Sequence, residues 1–199
     1  PELLTETKFV VVLAEPGAGK SELMRSLATR LGVKMSSANV FRHVGTEDKG
    51  IPIVIDAFDE LAKIDESGVH QLLANIAKTK PTCVIISSRS SEWNNSATSN
   101  FAEYIGHKPL VVRLCEFDES EQQQIYKNYT KRDDFFDFKE EVEKFELASI
   151  LPNPQFLKMF ADAFVESNGK FTNKKSIFAQ SIARLAREAN PHVKPVTSL

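Results

Sequence analysis

Short apolar runs alternate with stretches of helical periodicity through the first half of the chain. Lys8–Leu13, Val33–Ser36, Pro52–Ile55, Thr82–Ser87 and Leu110–Leu114 are short, rich in β-branched residues and nearly continuous in apolarity. Strands covered by helices on both faces read this way, whereas a strand with one wet face alternates. Between the runs, Leu23, Leu27 and Leu31 recur at helical spacing over Ser21–Leu31, and Gly32 stands where a helix would stop. Val69, Leu72, Leu73 and Ile76 mark a second helix. Residues 37–50 have weak periodicity and end in GTEDKG, which predicts a short helix and a loop. This alternation predicts βαβ units and a parallel sheet.

After Leu114 the strand signals stop. Asp118 followed by Glu121 has the spacing of a helix-opening capping box, and EQQQIYKNYTKR continues helically. Phe138–Ile150 predicts a further helix. Asn153-Pro154 is a start signal, Asn capping and Pro at the first helical position, with Phe156, Leu157, Phe160 and Phe164 as the buried stripe. Ser176–Ala189 predicts a last helix that Pro191 ends. The expected domains are therefore an α/β lobe over residues 1–115, a small all-helical subdomain over 116–190, and a tail or the start of a truncated further domain over 191–199.

Composition narrows this little. The net charge is −2, so there is no overall electrostatic case for nucleic acid or an anionic membrane. Charge is uneven: residues 133–146 hold seven acids and two lysines, and residues 168–199 hold six Lys/Arg and one Glu. The basic end lacks the interleaved aromatics of a nucleic-acid surface, so both stretches read as solvated helix faces. The longest apolar run, Phe9–Ala14, is far short of a membrane span, and PELLTETK shows no secretory pattern. A cytoplasmic location is expected, with Cys83 and Cys115 as reduced thiols inside the core.

The candidate chemistry begins with AEPGAGKS, residues 14–21, directly after the apolar run at 9–13 and directly before an amphipathic helix. It fits the pattern [AG]-x-x-x-x-G-K-[ST]. A polyphosphate is best held by backbone N–H groups turned inward and by the positive end of a helix, and glycines let the backbone come close. The expected nucleotide contacts are Glu15, Pro16, Gly17, Ala18, Gly19, Lys20, Ser21 and Glu22. Lys20 would reach the β- and γ-phosphates, and the Ser21 hydroxyl would bind Mg²⁺.

IPIVIDAFDE and CVIISSRS supply what a phosphate loop lacks alone. Asp56 ends an apolar run, where an acid can support Mg²⁺ at the carboxyl end of a strand. Asp59 and Glu60 follow at the edge of the site. Either could orient an attacking water, because a strand-end loop can aim either one. Arg89 stands just past another strand, placed to sense a γ-phosphate or stabilise its transition state. Trp93 reads as a packing residue. The expected fold class is α/β, a P-loop NTPase with a mostly parallel five-stranded sheet flanked by helices.

AEPGAGKS, IVIDAFDEL and IISSRSSEW together resemble the NACHT family of STAND-class signal-transduction NTPases, in its bacterial form. LCEFDESEQQQIYKNY is similar to the stretch joining that family's nucleotide-binding domain to its first helical domain, and ILPNPQFLKMFAD to a segment within it. By this resemblance Pro154 falls near the adenine, and the ligands are ATP or ADP with Mg²⁺. The resemblance implies a slowly hydrolysing switch module from a larger signalling or anti-phage defence protein. Its self-association would follow the nucleotide, and its other domains would be a winged helix, a sensor and an effector. Lys20 and Asp56 lie 36 residues apart, closer than is usual for the family. The alternatives are an AAA+ motor ATPase and a nucleotide-locked scaffold with negligible hydrolysis.

Overall fold

A computed structural model of the chain describes residues 7–175 and 177–179. Contacts divide it into two compact units, Pro1–Cys115 and Glu116–Leu199.

In the first unit the strands are β1 (Phe9–Leu13), β2 (Ser36–Ser37), β3 (Pro52–Asp56), β4 (Cys83–Ser88) and β5 (Leu110–Arg113). They form one parallel sheet in the order β2-β3-β4-β1-β5. The helices are α1 (Lys20–Arg30), α2 (Ala38–Val44), α3 (Phe58–Ile64), α4 (Glu66–Lys78) and α5 (Asn95–Ile105). The apolar runs of β1, β3 and β4 are continuous because both faces of the sheet are covered there, whereas the edge strand β5 leaves Leu110 and Val111 exposed. Val10, Val12, Val54 and Ile85 pack with Met24 and Ala28 of α1. The alternate positions Val11, Leu13, Ile53, Ile55, Val84 and Ile86 pack on the other face, with residues of α2 to α5. The side-chain period of two in a strand divides the residues between two cores.

Four elements differ from the sequence pattern. The run Val33–Ser36 yields a strand only at Ser36–Ser37, because the Val33 N–H closes α1 on the Ala28 carbonyl at 3.0 Å instead of joining the sheet. On α1 itself Met24 and Ala28 are buried, and the predicted leucines flank them half-buried. The residues after Asp56 are not a loop but α3. Helix α5, packed against α4, buries only Ala97 and Phe101, too sparse a stripe to announce a helix. Of the cysteines, Cys83 is half-buried, which raises its thiol pKa, but Cys115 is exposed and outside the core.

Between α3 and α4, the Asp65 carboxylate accepts from the Ser67 hydroxyl at 2.7 Å and the Gly68 N–H at 2.9 Å, and it pairs with Arg42. These partners lower its pKa from 3.8 to about 2, the Ser67 hydroxyl contributing most. A carboxylate held below its unfolded value stabilises the fold fully above that value and loses the contribution as pH falls toward the folded one. Denaturant melts between pH 5 and 2 should therefore show stability falling in this window, with a shallower fall in Asp65→Asn. Equal slopes for the two proteins would contradict the assignment.

The second unit contains α6 (Glu119–Thr130), α7 (Phe135–Lys144), a 3₁₀ turn at Ala148–Ile150 and α8 (Pro154–Glu166). The capping box at Asp118 and Glu121 is present, and the Asn153 side chain caps α8 with Pro154 in its first turn. The core is aromatic: Tyr126 stacks on Phe138 with centroids 4.8 Å apart, and Phe164 meets Phe138 edge-on at 5.5 Å. The helix expected over Phe138–Ile150 starts earlier and stops at Lys144, where Glu146 turns left-handed at φ 56. The helix expected over Ser176–Ala189 lies outside the described residues except at 177–179.

Candidate functional site

The loop after β1 and the first turn of α1 carry the Gly-Lys-Ser run. The Ala14 N–H donates to the Ser88 carbonyl at 3.1 Å, which anchors the start of the loop to β4. Gly17 and Gly19 sit at φ 77 and 88, a region that any side chain would strain. Gly19 precedes Lys20 directly, and no side chain caps α1. The positive end of an eleven-residue helix therefore opens toward the loop, uncovered by any capping group. Ser21 and Glu22 are exposed, Glu22 paired with Arg25, and Glu15 lies 3.7 Å from Arg113.

The ends of β3 and β4 supply the acids and the arginine. Asp56 is buried at the last position of β3. Ala57 then takes the left-handed conformation at φ 60, the turn that converts strand into helix α3. In a helix successive residues point about 100° apart, so Asp59 and Glu60 cannot share a direction. Asp59 turns inward and is 3% exposed, whereas Glu60 faces solvent. Phe58, buried just before them in sequence, packs against Trp93, with ring centroids 4.8 Å apart.

Asp59 joins the motifs. Lys20 Nζ lies 2.8 Å from its Oδ1, and Arg89 Nε lies 2.9 Å from its Oδ2. The lysine is 15% exposed and the arginine 39%. Two cations from separate loops thus converge on one buried carboxylate, each using a different oxygen. Asp56 forms no ion pair among the described residues, and its Oδ1 accepts from the Ser87 hydroxyl. Ser87 also accepts the Ala57 N–H at 3.2 Å. Reading the sequence gave Ser87 no role. The available signal was a polar residue near the end of an otherwise apolar strand, in the polar cluster SSRS. Pro154 lies in the second unit, buried at the start of α8.

The sequence model of novel STAND NTPase 3 (nSTAND3) matches residues 1–132. The chain belongs to the nSTAND3 family. This places it in the STAND class that the NACHT resemblance implied, and makes it a nucleotide-binding module on a P-loop NTPase fold. None of the curated proteins matches it. Among solved structures, "Structure of Drosophila ORC bound to DNA" is similar at 14% identity and a TM-score of 0.42. That alignment covers 83% of this nSTAND3 chain and 55% of the other, so the chain spans about half its length. No helix among the described residues is long and apolar enough to cross a membrane.

An nSTAND3 NTPase holds a nucleoside phosphate, usually with Mg²⁺, and the residues present fit both. The glycine turn, the uncapped helix end and Lys20 suit a polyphosphate. For the cation, Ser21 and Asp56 offer hard oxygen ligands. Among the described residues no group of three His, Cys, Asp or Glu forms an all-protein cage. Mg²⁺ characteristically takes one or two protein oxygens and completes its shell with phosphate and water.

Proposed function

We propose that the chain is the ATP- and ADP-binding, slowly hydrolysing switch module of a larger signalling or anti-phage defence protein of the STAND class. The observation that carries this reading is the convergence of Lys20 and Arg89 on Asp59 beside the glycine loop. Two cations brought together beside that loop would suit the terminal phosphates of a nucleotide. Mg²⁺, held by Ser21 and Asp56, would neutralise charge on the phosphate oxygens.

The protein's own groups divide the remaining tasks. Lys20 binds the β- and γ-phosphates, and Arg89 senses the γ-phosphate. When phosphate oxygens take over these two cations, the Asp59 carboxylate is released to orient water. Glu60, on the solvent side of the same helical turn, is the second candidate for that task. A switch of this kind couples the γ-phosphate to the contacts around Asp59, and nucleotide-dependent self-association of the full-length protein follows from the same reading.

The test is calorimetric titration with Mg·ATP, Mg·ADP and Mg·GTP, with phosphate release followed in parallel. Binding of both adenine nucleotides is expected, with turnover on the order of 10⁻⁴ to 10⁻² per second, the range of NTPases acting without a second activating protein. Absence of binding would overturn the proposal. Binding without any single-turnover hydrolysis would leave a nucleotide-locked scaffold. Steady turnover that climbs with protein concentration would instead indicate a ring-forming motor.

A further inference from the structure

The hydroxyl of Ser87 stands at the centre of the carboxyl ends of the sheet. β4 lies between β1 and β3, and Ile86 is in register with Ile55, so the next residues, Ser87 and Asp56, are neighbours across the two strands. They also share a face. Ser87 follows Ile85 and Asp56 follows Val54 at a spacing of two, and Ile85 and Val54 both pack on the α1 side. Ser87 is 0% exposed.

Its two hydrogen bonds have fixed directions. A backbone N–H can only donate, so the Ala57 contact uses a lone pair of Ser87 Oγ, and the hydroxyl proton is left for Asp56 Oδ1. One side chain thereby fixes two things. It holds the orientation of the Asp56 carboxylate through one oxygen and leaves the other oxygen to a ligand. It also ties down the left-handed residue, Ala57, from which α3 and Asp59 begin. The partner is neutral, so the charge of Asp56 is not cancelled. Among the described residues, the cations of the candidate site, Lys20 and Arg89, both go to Asp59. A carboxylate that is oriented but not neutralised is suited to a divalent cation.

We propose that Ser87 is a positioning residue for the Mg²⁺ of the nucleotide site, acting through Asp56. This rests on the reading of that site as a Mg·nucleotide site. Partners that orient a metal-supporting carboxylate are commonly worth 10- to 100-fold in metal affinity.

The experiment measures ATP affinity of the full chain twice, in excess Mg²⁺ and in EDTA, for wild type, Ser87→Ala and Ser87→Cys. The ratio of the two affinities isolates the contribution of the metal. Cysteine preserves the fit in the strand while offering only a weak S–H donor, so it serves if the smaller alanine does not fold. The expected result is a fall of about tenfold or more in that ratio for both variants. Affinity in EDTA should stay within roughly twofold, since the metal-free contacts lie elsewhere. The concentration of Mg²⁺ giving half-maximal binding should rise by the same factor. An unchanged ratio, or an equal loss with and without Mg²⁺, overturns the role of Ser87 and makes it a structural hydroxyl. Neither outcome touches the site itself, which fails separately if wild type binds no nucleotide under either condition.

Discussion

Asp59→Asn is expected to hydrolyse ATP about 10²- to 10⁴-fold more slowly than wild type while binding Mg·ATP more tightly. The two effects have one cause. In the structure Asp59 is a buried anion that occupies both cations of the site, Lys20 at 2.8 Å and Arg89 at 2.9 Å. Phosphate must draw those cations away and then remain close to the carboxylate it displaced. At a separation of about 8 Å and an effective dielectric constant near 20, each pair of like charges costs about 2 kcal/mol. Asparagine keeps the shape and removes that repulsion, so affinity should rise on the order of tenfold, as about 1.4 kcal/mol per decade requires. It cannot take a proton from water, so the chemical step fails. Without nucleotide the variant should melt earlier, because Lys20 and Arg89 then face each other with no shared anion. The rise in melting temperature on adding ATP should correspondingly exceed that of wild type. Single-turnover hydrolysis, calorimetry and thermal melts measure the three effects. Wild-type hydrolysis in Asp59→Asn together with a dead Glu60→Gln would transfer the water-orienting task to Glu60. Weakened ATP binding in Asp59→Asn would contradict the competition argument itself.

The parts of the fold that were legible in the sequence are those where local pattern and tertiary environment agree. β1, β3 and β4 are uniformly apolar because both of their faces are buried, and Asn153-Pro154 and the Asp118–Glu121 box mark helix starts by their own chemistry. Local signals mislead where backbone hydrogen bonds go elsewhere. Val33 looks like a strand residue but its N–H closes α1, and Phe145 continues an apolar period that the left-handed Glu146 then breaks. The candidate site follows the same division. The residue types at positions 20, 56, 59 and 89 were readable as chemistry, but the choice between Asp59 and Glu60 was not, because it depends on the register of a helix that begins at Ala57. Its start is set by a left-handed turn whose N–H bonds to Ser87, thirty residues away in sequence. No pattern within either motif contains that link.

Lys20→Ala tests the other half of the same cluster and should cost more in binding than any other single change in the loop. A hydrogen bond to a charged group contributes about 1.5 to 3 kcal/mol, so ATP and ADP affinity should fall by roughly 10- to 150-fold. Adenosine binding should be insensitive, since the ammonium serves the phosphates. Part of the loss is not the missing contact. Once Lys20 is gone, Arg89 alone balances Asp59, and the carboxylate meets the incoming phosphate one cation short. The double variant Lys20→Ala/Asp59→Asn removes that penalty along with the lysine. It should bind ATP better than Lys20→Ala alone, with a coupling of about 1 kcal/mol or more across the cycle, within the range for groups in direct contact. The four affinities, measured calorimetrically at one salt concentration, give this coupling directly. If the two changes add to within about 0.5 kcal/mol, the Lys20–Asp59 ion pair is a bystander to nucleotide binding. A coupling of the expected size means that Lys20 shields the incoming phosphate from Asp59, so that the lysine and the buried carboxylate act on the γ-phosphate as one unit.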